Sequence, residues 1–158
     1  MGKTRQDTTL AEALAIRKDT QKRIEQLRSR LMNNVRVQEG DEPSEDPKEL
    51  KGELDICLKE LFGLIFKINE TNMNTLVDGR PLTELMAQRD VLTLRVTTLR
   101  DVFNKASESQ DRYSRSEIKM VTTIDIKELG REIDQWSKQL RDLNMKIQAA
   151  NFSTELLE

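Results

Sequence analysis

The chain predicts an all-α fold, an antiparallel up-down four-helix bundle with long helices. Three observations predict it. Apolar residues recur at alternating three- and four-residue spacing in four separate segments, which places them on one face of a helix. Capping residues and helix breakers bracket the same four segments. The segments also match in length, at about 25 residues or roughly 38 Å each, as antiparallel packing requires. Of the 158 residues, 36% are hydrophobic and 34% charged, which suits narrow helical stripes better than a sheet core.

Helix 1 is expected over 10–34, with a stripe of Leu10, Ala13, Leu14, Arg17, Thr20, Ile24, Leu27 and Leu31. Thr9 and Glu12 form a capping box at its start. Helix 2 is expected over 47–73, with Leu50, Leu54, Cys57, Leu61, Leu64/Ile65 and Ile68 facing inward. Asp46 is its N-cap, Pro47 its first residue, and Glu49 closes the box. Helix 3 is expected over 81–109, with Leu85, Arg89, Leu92, Val96, Leu99, Phe103 and Ala106. Helix 4, over 126–150, has the most regular stripe: Ile126, Leu129, Ile133, Trp136, Leu140, Leu143, Ile147 and Ala150, opened by Asp125 and Glu128. Residues 1–8 read as a disordered segment and 9–158 as a single helical-bundle domain.

The connection between helices 2 and 3 is short and carries Asp78-Gly79, suited to a tight reversal. The other two, Val35 to Asp46 and Gln110 to Ile124, are longer and fall at one end in up-down order. Each contains alternating β-formers, Val35-Arg36-Val37 and Ile118-Lys119-Met120-Val121, which fit a small two-stranded β pair across that end. The first connection is acidic, and the second carries Asp111, Arg112, Tyr113 and Arg115. Solvated charge and ion pairing explain both most simply, with a ligand or metal site at that end as the sharper alternative.

Composition excludes several chemistries. With no histidine, Ser-His-Asp and Cys-His nucleophilic systems, histidine proton shuttles and histidine-containing metal sites are all ruled out. No Asp or Glu lies on a core stripe, as a ferritin-like carboxylate site would need. No cofactor or metal is therefore expected, and the reading leans away from an enzyme. A net charge of −2 gives no attraction to nucleic acid. The opening MGKTRQDTTL has no apolar signal core, no stretch is long enough to span a bilayer, and a single cysteine fits a reducing cytoplasm. A cytoplasmic chain without membrane contact is expected.

Arg17 and Arg89 occupy stripe positions about seven residues into helices 1 and 3. A guanidinium in a core must be hydrogen-bonded, because its desolvation otherwise costs about several kcal/mol. Bundle geometry groups them with Asn69, Asn72 and Asp90. A satisfied layer that fixes register is the simplest account, and a pocket for a carboxylate or phosphate is the functional alternative.

Helices 2 and 3 carry more hydrophobe than one face can use. Phe62, Phe66 and Met73 lie well round from the helix 2 stripe. On helix 3, Ala87, Val91, Leu94, Thr98 and Val102 form a second line. Contiguous apolar surface of this kind marks an interface, so a homo-oligomer built through Phe62, Phe66, Met73, Val91, Leu94 and Val102 is expected.

The segments LAEAL and QKRIEQLRSRL, the loop VQEGDEPSEDP, the stretch INETN followed by LTELMAQRD, and QDRYSRSEIK resemble the septicolysin-like family, from Leu10 to Glu158. The resemblance implies a small, all-helical bacterial cytoplasmic protein and supplies no catalytic residues. A non-enzymatic, self-associating helical protein is the leading reading. A membrane-active cytolysin, suggested by the family name, and an anion-binding protein or enzyme using the arginine layer are the alternatives.

Overall fold

A computed structural model describes residues 8–108 and 118–157 of the chain. Over the described residues it is all-α, a helical-bundle protein with four long helices and one short antiparallel strand pair. In chain order these are α1 (Leu10–Asn34), α2 (Pro47–Asn74), β1 (Leu76–Val77), β2 (Arg80–Pro81), α3 (Leu82–Ala106) and α4 (Ile126–Ser153). Two compact units result. One holds α1, α2, the strand pair and the end of α4 with the tail that follows; the other holds α3 and the rest of α4.

In the first unit α1 and α2 pack through Ile24, Leu27 and Leu31 of α1 against Leu50, Leu54 and Cys57 of α2. Late residues of one helix meet early residues of the next, so the pair is antiparallel. The Thr9 hydroxyl accepts from the Glu12 amide at 3.2 Å while the Glu12 carboxylate accepts from the Thr9 amide at 3.1 Å, closing the capping box. Asp46 accepts from the Lys48 amide at 2.8 Å ahead of Pro47.

Buried Asn34 secures the 35–46 connection. Its carbonyl accepts from the Glu45 amide at 3.0 Å and the Ser44 hydroxyl at 3.2 Å, and its amide donates to the Arg30 carbonyl at 2.8 Å. Arg30 also forms a forked ion pair with Glu45. This pairing holds the Glu45 carboxyl below its ordinary range and the Arg30 guanidinium above its own.

The other end of this unit is closed by the tail. The Leu10 amide donates to the Thr154 carbonyl at 2.9 Å and the Leu156 amide to the Thr8 carbonyl at 2.8 Å, with an isolated bridge between Thr9 and Glu155. The Thr71 hydroxyl, in buried surroundings, accepts from the Leu157 amide at 3.0 Å and donates to the Lys67 carbonyl at 2.7 Å. Neither the tail nor its anchor shows in the apolar periodicity.

The strand pair lies at the turn between α2 and α3. Leu76 pairs with Pro81 and Val77 with Arg80, around Asp78 (φ 52°) and Gly79 (φ 77°). Two consecutive positive φ values are what a two-residue hairpin of matching twist needs, and Asp-Gly supplies them. The location expected for the pair is therefore corrected. Val35-Arg36-Val37 and Ile118-Lys119-Met120-Val121 are irregular in the structure, and their apolar side chains are exposed. Alternation without a face to bury gives no reason to form a ladder.

In the second unit Leu85, Leu92 and Val96 of α3 and Leu129, Ile133, Leu143 and Ile147 of α4 are buried. Gly130 sits against the Phe103 ring, where a Cβ would approach to 3.5 Å. Arg95 stacks on Trp136 at 4.2 Å from the ring centroid, and Arg100 donates to the buried Ser137 hydroxyl at 3.3 Å. Asp125 caps α4 by accepting from the Glu128 amide at 3.1 Å.

Candidate association surface

The inward line of α2 runs through Leu50, Cys57, Ile68, Thr71 and Asn72. At 100° per residue its centre lies about 120° from a second line, Leu58, Phe62, Ile65, Phe66 and Met73. All five of these are exposed, Phe62 at 73% and Phe66 and Met73 each at 60%. The line begins at Leu58 because the turns before it put Lys48, Lys51 and Asp55 on the same face. Over 58–73 it runs about 22 Å along the helix, interrupted by exposed Asn69.

Ile65 corrects an expectation. Its apolar spacing sets it beside Leu64 in the core stripe, but Leu64 is half-buried and Ile65 faces outward. Leu58 and Ile65 extend the surface beyond the residues singled out from sequence. The outward line of α2, plotted at 100° per residue, contains both.

In the other unit, α3 carries an outward line of its own. Val91 is 65% exposed and Leu94 67%, and Val102 is exposed as well. Beside Val102 an open groove of about 800 Å³ is bordered by Ala106, Met120, Val121, Thr122 and Ile124.

The residues expected in an arginine layer are placed as follows. Arg17 is half-buried on α1, Asn72 is buried on α2 and Asn69 is exposed. Arg89 donates twice to Asp90, at 3.1 and 3.0 Å; the side chains are 32% and 70% exposed. This is a contact between chain neighbours at the surface, worth roughly 0–1 kcal/mol. Arg17, Asn69 and Asn72 belong to one unit and Arg89 and Asp90 to the other. Asp111, Arg112, Tyr113 and Arg115 lie outside the described residues. Among the described residues no three His, Cys, Asp or Glu side chains cluster to hold a metal, and no helix is long and apolar enough to cross a membrane.

Comparison with known proteins gives one solved structure over nearly the whole chain. It is described as a functionally unknown conserved protein from Corynebacterium diphtheriae, 39% identical, with a TM-score of 0.89, covering 96% of this chain and 99% of that one. No curated protein matches. The model of a family of unknown function, DUF6847, matches residues 17–156. That match corrects the septicolysin-like resemblance, to which nothing in the comparisons points. The loop and helix segments that suggested it fall largely within the region matched by the other family, so the chain belongs to the family of unknown function DUF6847.

Proposed function

We propose that this protein is a non-enzymatic helical association protein whose outward α2 face binds a second copy of the same chain. The observation that carries this reading is the exposed line Leu58, Phe62, Ile65, Phe66 and Met73. Two neighbouring phenylalanines in solvent on a regular helix are a cost to the single chain that association removes. The absence of histidine from the sequence removes the commonest acid–base and nucleophilic machinery and supports a binding role over catalysis. A free, buried Cys57 supports assignment to a reducing, cytoplasmic compartment.

Mass determination by light scattering at micromolar concentration tests the proposal. A mass of two or more chains, falling to one in Phe62→Ser/Phe66→Ser, is expected. A one-chain mass for the unaltered protein overturns it.

A further inference from the structure

We infer that two copies pair through antiparallel α2 helices about a two-fold axis near Ile65, with Lys59 of each copy facing Glu70 of the other. This rests on the self-association reading and adds the orientation, centre and charge register of the interface.

The argument starts from the two borders of the outward line. On one side it merges with the inward face through Leu54, Leu61 and Asn72, which are half-buried or buried. The other border is solvent-exposed or partly so and holds Gly52, Lys59, Gly63 and Glu70. Lys59 and Glu70 form no ion pair with another described residue. Opposite charges thus sit on one border, 11 residues apart, nearly symmetric about the middle of the apolar line.

Symmetry then decides the orientation. A two-fold axis perpendicular to the helices makes them antiparallel and sets the like borders of the two copies side by side. Lys59 then meets Glu70 of the other copy twice, across the axis. An axis along the helices makes them parallel and sets each exposed border against the border already turned into the partner copy's own interior. Lys59 and Glu70 are then left without partners. Antiparallel pairing about Ile65 also brings Leu58 level with the other copy's Met73 end and leaves Gly63 beside the axis. A Cβ on Gly63 would meet nothing within 4 Å among the described residues, so that position is open to close approach by a second helix.

Cysteine cross-linking of the full chain reads the geometry directly. At 1.5 Å per residue, equivalent positions 66 lie about 3 Å apart along the axis, positions 58 about 21 Å and positions 73 about 24 Å. A disulfide needs Cα atoms within roughly 7 Å. Phe66→Cys is therefore expected to cross-link with itself. Leu58→Cys and Met73→Cys are each expected to fail alone and to cross-link when mixed. Buried Cys57 gives the unaltered chain as the control.

Lys59→Glu and Glu70→Lys are each expected to weaken association roughly tenfold, and the double reversal to restore it. Self-cross-linking of all three single-cysteine variants overturns the antiparallel pairing but leaves self-association standing. Loss of association on altering Val91 and Leu94 but not Phe62 overturns the α2 interface. Flotation of the chain with phosphatidylcholine–phosphatidylglycerol vesicles, abolished by Phe62→Ser, assigns the face to lipid and overturns the pairing. A one-chain mass for the unaltered protein overturns both readings.

Discussion

Replacing Phe62 and Phe66 together by serine separates the cost of association from the cost of folding. Both rings point away from the Leu27, Leu50 and Cys57 cluster and are 73% and 60% exposed. Taking about 200 Å² for a whole phenylalanine side chain, the pair leaves roughly 270 Å² in solvent per copy. Burying both copies' share at about 25 cal/mol per Å² contributes about 13 kcal/mol gross, before the cost of bringing two chains together, which runs from about 4 to 15 kcal/mol. On the proposed pairing, the rings therefore decide whether a dimer forms. If only a quarter of the gross term is lost, about 3 kcal/mol, the dissociation constant rises roughly 100-fold. Sedimentation equilibrium over a concentration series measures that shift. Denaturant unfolding of the single chain, run below the dissociation constant, should move by less than about 0.5 kcal/mol, as surface substitutions do. An unchanged dissociation constant in the double variant would refute the reasoning. So would a several-kcal/mol loss of single-chain stability, which would mean that the rings support the fold.

Thr71→Val keeps the shape but removes the acceptor for the Leu157 amide and the donor to the Lys67 carbonyl, and is expected to cost about 1 kcal/mol in urea unfolding and to speed hydrogen exchange at Leu157. The Glu45 carboxyl is held low by Arg30, so its contribution is complete above the unfolded carboxylate value and is lost as pH falls through the folded one. The 35–46 connection should loosen in that acid window by amide exchange, and Glu45→Gln should abolish the pH step. Trp136 is the chain's single tryptophan, so Arg95→Ala should shift its fluorescence and cost about 0.5–1 kcal/mol; an unaltered spectrum counts against the stacking. Gly63→Ala should raise single-chain stability by up to about 1 kcal/mol while weakening association.

The stripe of helix α4 was legible in the sequence because it repeats without a break, although the helix runs to Ser153 rather than 150 and exposed Met145 lies off the stripe. All eight positions of its predicted stripe are buried or half-buried, so period and phase could be read together. Ile65 marks where that reading stops working. At Leu64-Ile65 two adjacent apolar residues straddle a face boundary, and periodicity alone does not say which turns inward. The strand pair shows a second limit. Alternation at 118–121 invited a strand, but the positive φ values available at Asp78-Gly79 decided where one forms. The stacking of Arg95 on Trp136 joins different helices and depends on a register that no single segment encodes. The tail contacts of Leu10, Leu156 and Leu157 are made by backbone amides, which side-chain patterning does not report. Within the candidate surface, the phenylalanines were visible as surplus hydrophobe, whereas its borders required knowing which neighbouring residues the fold had already used.

The two glycines inside α2 bring these threads together. A glycine in a helix interior costs about 1 kcal/mol relative to alanine, so a long helix that keeps two of them needs a reason. Among the described residues packing does not supply one, because a Cβ on Gly52 or Gly63 would meet nothing within 4 Å. Both glycines lie on the border that also carries Lys59 and Glu70, next to the exposed phenylalanines. The backbone cost at Gly63, the solvent exposure of Phe62 and Phe66 and the unpaired charges of Lys59 and Glu70 fall on one continuous strip. The exposed rings and the glycine are each a cost to the chain alone, and the proposed antiparallel pairing would bury the rings while setting Lys59 against Glu70.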